Sequence, residues 1–253
     1  MTYFHSKSVY DNFPKTEIEF FNLIKKDIKV IFDIGCRDDI DYIKCSTDVS
    51  REFHLFDPDP TFITNCQKQI EDLDDLDDNI ENVVYLNAFG LGCEEGEMVY
   101  YPNTQSFVFR KYHTISQDIG LKFPIKTLDA YCVENSVKLI DFLKIDIEGM
   151  EIDAFNGGKN IINSATNIIQ FEFASTLLDR EVDPDEYISW FDKNIFDLYL
   201  QRVDPRHPYY SENCKMLTLL NDELYAIIKQ NMIDGSGCNM VAIRKEFSKN
   251  YNL

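Results

Sequence analysis

Five short apolar runs in this chain stop on residues that can bind a ligand or take a proton. "VIFDIG" stops on Asp33 and Gly35, "FHLFDPDP" on Asp57, "VVYLNAFG" on Asn87, "LKIDIEG" on Asp146 and Glu148, and "IIQFEFA" near Glu172. In open α/β sheets ligands bind outside the carboxyl ends of parallel strands, so polar groups repeated at that edge describe a crevice for a ligand with several hydrogen-bond donors. A carboxylate after the first run suits an ammonium group. One after the second suits a vicinal diol such as a ribose, because it accepts from both hydroxyls. Asp146 or Glu148 is placed to take a proton from an acceptor hydroxyl or to hold a diol. His113 in "RKYHTIS" is a second candidate base if its loop folds over the crevice. Without a third ligand, Asp146 and Glu148 do not predict a metal site. Lys144 reads as a structural partner of a carboxylate, and Glu151 as a helix-start acid complementing the dipole.

The elements that must position these residues follow from periodicity. "PKTEIEFFNLIKK" places Ile18, Phe20, Phe21 and Ile24 at helical spacing. Residues 28–35, 52–60, 82–90 and 167–174, with one more run after a short helix inside 124–149, are nearly continuous apolar runs, the first of them β-branched, as buried parallel strands are. "CEEGEMVYY" predicts a turn into an extra strand, and 102–124 a variable loop or lid. Residues 150–158 predict a helix closing at Gly157 and Gly158, 184–196 another helix, and 237–245 a late strand with one solvated face. The acid run Glu71 to Glu81 lacks the spacing of a calcium loop and reads as a solvated helix end. Strands alternating with helices predict a doubly wound α/β fold in a single domain over 1–253, with a helical extension at 1–27 and a catalytic core at 28–245.

The chain has 253 residues, 25 Lys plus Arg against 44 Asp plus Glu, and a formal charge of −19. Such a field disfavours phosphate backbones and anionic membranes, so no nucleic-acid or membrane partner is expected. The seven cysteines are dispersed without a CxxC pair or zinc spacing, which fits reduced thiols. No signal peptide or membrane-spanning run is apparent, and a cytoplasmic protein is expected.

An ammonium-binding acid beside a diol-binding acid implies adenosine with an amino-acid end, which is S-adenosylmethionine. The first turn also lacks the GxGxxG of a dinucleotide site. "VIFDIGCRDDIDYI", "FHLFDPDP", "NAFGLGCEEGE", "IKTLDAY" and "LIDFLKIDIEGMEIDAFNGG" resemble, in order, the blocks of FkbM-type S-adenosylmethionine-dependent methyltransferases. The resemblance implies a Rossmann-like class I fold, with a mostly parallel seven-stranded sheet and an antiparallel late strand. It also implies O-methylation of a sugar or other small metabolite, so a small-molecule or glycan acceptor. Carried over, Asp33 and Gly35 match the first cofactor motif, Asp57 the ribose acid, Asn87 the adenine-side loop, and Asp146, Glu148 and Gly149 the active-site block. The first loop departs from the family: Cys36, Arg37, Asp38 and Asp39 stand where members have small and polar residues and a second glycine. Arg37 either grips the donor carboxylate or crowds the donor. In the second case the chain is a catalytically idle binding or scaffolding module of the same fold. An RNA-ribose methyltransferase is disfavoured by the charge and by the lack of a lysine in "IIQFEFA".

Overall fold

A computed structural model of the protein describes residues 16–74, 82–100, 120–201 and 215–249. The strands are β1 (Val30–Ile34), β2 (Glu52–Phe56), β3 (Val83–Asn87), β4 (Gly90–Leu91), β5 (Gly96–Tyr100), β6 (Leu121–Lys126), β7 (Ile140–Ile145), β8 (Thr166–Ala174), β9 (Phe196–Gln201), β10 (Leu217–Leu219) and β11 (Gly237–Arg244). The helices are α1 (Thr16–Ile24), α2 (Asp41–Lys44), α3 (Pro60–Asp74), α4 (Leu128–Glu134), α5 (Glu151–Gly157), α6 (Lys159–Ala165), α7 (Thr176–Asp179), α8 (Pro184–Ser189), α9 (Asp222–Ile233) and α10 (Lys245–Ser248).

The main sheet runs β10-β9-β11-β8-β7-β1-β2-β3. Pairing from β3 through β8 is parallel, and β11 enters antiparallel between β8 and β9. The expected fold is therefore present, with an eighth strand in place of seven. That strand, β10, pairs antiparallel with β9 over three residues and buries only Leu217, too little to leave a pattern in the sequence. Because helices cover both faces, the central strands are buried on both. Phe32, Ile34, Leu143 and Ile145 pack with Phe155 and Phe171 on one side. Ile31, Phe53, Leu55 and Phe142 pack with Phe20, Phe21 and Ile24 of α1 on the other. The N-terminal helix thus seals a face of the sheet. Burying side chains of this size contributes about 2 kcal/mol each.

A second sheet, β4-β6-β5, stands beside the first. Its strand β5 fits the expected extra strand. β6 occupies the end of the region read as a lid, and its half-exposed residues and Pro124 hide the strand pattern.

At the amino ends of the strands, Asp141 ties the sheet together. Its Oδ2 accepts from the backbone N–H of Lys29 and Val30 at 2.9 and 3.0 Å, and its Oδ1 accepts from Asn167 Nδ2 at 3.1 Å.

Candidate active site

At the opposite edge the strand ends open onto a cavity of about 310 Å³, lined by Asp33, Gly35, Arg37, Asp57, Asp146 and Glu148 together with residues of α1, α2 and the second sheet. Of the residues singled out in the sequence, these six come together. The loop after β1 is tied down from both sides: Gly35 N and Cys36 N donate to Phe56 O of β2, and Asp146 N donates to Ile34 O. Gly35 has φ +80°, and a Cβ there would lie 2.0 Å from the carbonyl oxygen of Asp146. Its glycine is required for the loop to pack on the end of β7.

Asp33 faces Lys144 across the β1–β7 pairing, as the parallel register dictates. Lys144 Nζ stands 3.4 Å from Asp33 Oδ1 and 3.8 Å from Asp146 Oδ2, and donates to Gly35 O at 3.2 Å. Burial lowers the affinity of Lys144 for its proton, but the carboxylates of Asp33 and Asp146 outweigh it and hold the ammonium above the usual lysine range. Burial pushes Asp33 up to about 6, with Lys144 opposing. Its buried Oδ1 accepts no hydrogen bond among the described residues and is held by the ion pair alone. One more cationic donor would satisfy it, which is the property expected of an ammonium-binding acid.

Asp57 is buried, its Oδ2 accepting from Arg37 N at 3.1 Å and its Oδ1 from Asp59 N at 2.9 Å. Burial raises it to about 6 against those two donors. Each oxygen keeps lone-pair capacity toward the cavity. Arg37 takes the left-handed φ of 53°, so the departure from glycine and small residues in this loop is absorbed by the backbone and locked by Asp57. Arg37 lines the cavity, and its guanidinium has no ion pair or hydrogen bond among the described residues.

Other placements differ from the sequence expectations. Asn87 does not line the cavity: its amide donates to Leu55 O, Tyr85 O and the Tyr131 hydroxyl, fixing the end of β3 beneath the site. His113 lies outside the described residues. Glu151 opens α5, in the first turn where the sequence places it, but it does not face water. It is 1% exposed, and its Oε1 accepts from Ile147 N at 2.8 Å and Gly149 N at 3.3 Å. Burial raises it to about 7, with those backbone donors opposing. Asp146, Glu151 and Glu172 bring carboxylate oxygens within 4.8 Å of one another. Lys144 is the carboxylate partner expected of it, whereas Glu17, delivered by α1, and Tyr100, delivered by β5, also line the cavity and were not singled out in the sequence. Lys144 alone left a signal, because it precedes Asp146 by two positions and so shares its face of the strand.

The FkbM methyltransferase domain model matches residues 33–198, from the acid that ends β1 into β9. The chain belongs to the FkbM methyltransferase domain family. The chain is 24% identical over 169 residues to the 2-O-methyltransferase NoeI of Sinorhizobium fredii, covering 63% of this chain and 69% of that protein. Among solved structures it is similar to the FkbM methyltransferase of Methylobacillus flagellatus KT, at 15% identity and TM-score 0.43. There the match covers 71% of this chain but 41% of that one. It is also similar to a Streptococcus mutans protein assigned as a methyltransferase and solved with SAH, at 8% identity and TM-score 0.46, covering 92% and 99% of the two chains. Among the described residues, no helix is long and apolar enough to cross a membrane.

Proposed function

We propose that this FkbM-family chain is an S-adenosylmethionine-dependent O-methyltransferase acting on a hydroxyl of a sugar or other small metabolite. The observation that carries the reading is the convergence of Asp33, Asp57, Asp146 and Glu148, from the ends of three adjacent parallel strands, on one cavity. Asp33 would hold the donor's ammonium, Asp57 its ribose hydroxyls and Arg37 its carboxylate. When bound, S-adenosylmethionine supplies a methyl group on a sulfonium that is already activated.

The protein's share is alignment and proton removal. Asp146, 39% exposed at its side chain, has a carboxylate open to the cavity and anchored by Lys144. It accepts the hydroxyl proton of the acceptor, with Glu148 beside it to hold a neighbouring hydroxyl or to share that role. Lys144 keeps Asp33 and Asp146 from repelling each other and fixes the loop through Gly35 O. The second sheet and α1 line the cavity through Tyr100 and Ile18. The 2-O-methyltransferase relative supports the choice of an oxygen acceptor.

The test is a methylation assay with labelled S-adenosylmethionine over fractionated cell extract, with mass detection of the product. Transfer to a hydroxyl-bearing small molecule or glycan is expected. Transfer to nitrogen or carbon, or to RNA, contradicts the proposal.

A further inference from the structure

We infer that Glu151 is a positioning residue of the active site: its buried carboxyl holds the backbone of residues 147–149 in the course that turns Asp146 and Glu148 toward the cavity. The inference rests on the cavity being the methyl-transfer site.

Beyond β7 the chain must reverse before α5 begins, and it does so through two consecutive left-handed residues, Glu148 with φ 58° and Gly149 with φ 99°. A non-glycine residue with positive φ persists only where its surroundings over-determine it. Gly149 is wedged as well, since a Cβ there would lie 2.8 Å from Thr176 O. What locks the turn from inside is Glu151 Oε1, which accepts from the N–H groups on either side of Glu148, those of Ile147 and Gly149. One oxygen therefore fixes the peptide unit that follows Asp146 and the one that follows Glu148. The N-cap position of α5, Met150, makes no side-chain cap, and the Glu151 carboxyl, which also bonds its own backbone N–H, joins the turn to the helix start.

Its location strengthens the inference. Glu151 is buried although its carboxyl oxygen lies within 4.8 Å of those of Asp146 and Glu172. A charge-dipole role would be fulfilled at the surface without that repulsion. The carboxyl is pushed up to about 7 by burial, and the feature that the turn requires is an acceptor oxygen rather than a charge. Glutamine supplies the same oxygen; leucine fills the volume without it.

Amide hydrogen exchange of the full chain tests this in wild type, Glu151→Gln and Glu151→Leu. Ile147 and Gly149 amides are expected to be protected in wild type and in Glu151→Gln. In Glu151→Leu they should exchange about 10-fold faster or more, while Leu143 and Ile145 in β7 stay unchanged. Methyl transfer into cell extract should fall about 100-fold in Glu151→Leu and change less than about 3-fold in Glu151→Gln, with SAH affinity kept in both. Unprotected 147 and 149 amides in the wild type overturn the inference even if the leucine variant does not fold. So does equal protection in Glu151→Leu, or a glutamine variant as impaired as the leucine one. A wild type that fails to bind SAH counts against the site and leaves the exchange result to decide the brace.

Discussion

Asp141 and Asp33 are buried aspartates at opposite ends of the same parallel strands, and their surroundings differ in kind. Asp141 is saturated by the protein: two backbone N–H groups and one side-chain amide donate to it. Asp33 receives one ammonium at ion-pair distance, and its buried Oδ1 takes no hydrogen bond among the described residues. A carboxylate whose lone pairs are used up internally joins strands. One left with capacity at the mouth of a cavity is available to a ligand. Sequence position alone does not separate them, since both sit in "apolar run plus acid" contexts.

The largest effect on stability is expected at the saturated end. Asp141→Ala leaves the N–H groups of Lys29 and Val30, at the start of β1, without their acceptor and should cost about 3 kcal/mol in a urea titration, with SAH affinity of the folded protein unchanged. At the open end the effect should fall on chemistry instead. Asp146→Asn and Glu148→Gln should keep the melting temperature and SAH affinity near wild type while lowering turnover with the identified acceptor by about 100-fold. Next is Asp57→Ala, which removes both a ribose acceptor and the clamp on Arg37 N. Calorimetry should show a loss of about 2 kcal/mol in SAH binding. Arg37→Ala should cost about 1 kcal/mol if the guanidinium holds the donor carboxylate. A gain in affinity would show that the side chain crowds the donor.

The smallest effect is one of pH. Glu151 has its carboxyl raised from 4.5 to about 7 in the folded chain. The native state therefore keeps a proton that the unfolded chain releases. Its stabilisation is complete below the unfolded value and is lost as pH rises through 7. Glu151→Gln cannot lose that proton. Its melting temperature relative to wild type should rise between pH 5 and pH 8. A difference that stays flat or falls would show that the carboxyl is ionised throughout.

The strand-end acids Asp33, Asp57, Asp146 and Glu148 were legible because each follows a short apolar run, and a parallel sheet must present such ends at one edge. Asn87 satisfies the same pattern, yet its amide turns inward to Tyr131. An amide that both donates and accepts finds partners inside the fold more readily than a carboxylate does. The burial of Glu151 was not legible for a related reason, since helix-start acids usually face water and nothing local announces that the preceding turn folds over this one. Glu17 and Tyr100 come from elements remote in sequence, so only the tertiary structure brings them to the cavity. The parallel strands were legible from their apolar character, whereas β6 and β10 depend on pairing with neighbours rather than on any pattern of their own.

Isothermal titration of SAH into wild type, Asp33→Asn and Asp141→Asn, run side by side, asks whether the open carboxylate is the ligand-binding one. Saturable one-to-one binding is predicted in the wild type and in folded Asp141→Asn, with affinity at least about 10-fold weaker in Asp33→Asn. No binding in the wild type would mark the chain as an idle module of its fold, and equal affinity in all three would contradict the assignment of Asp33.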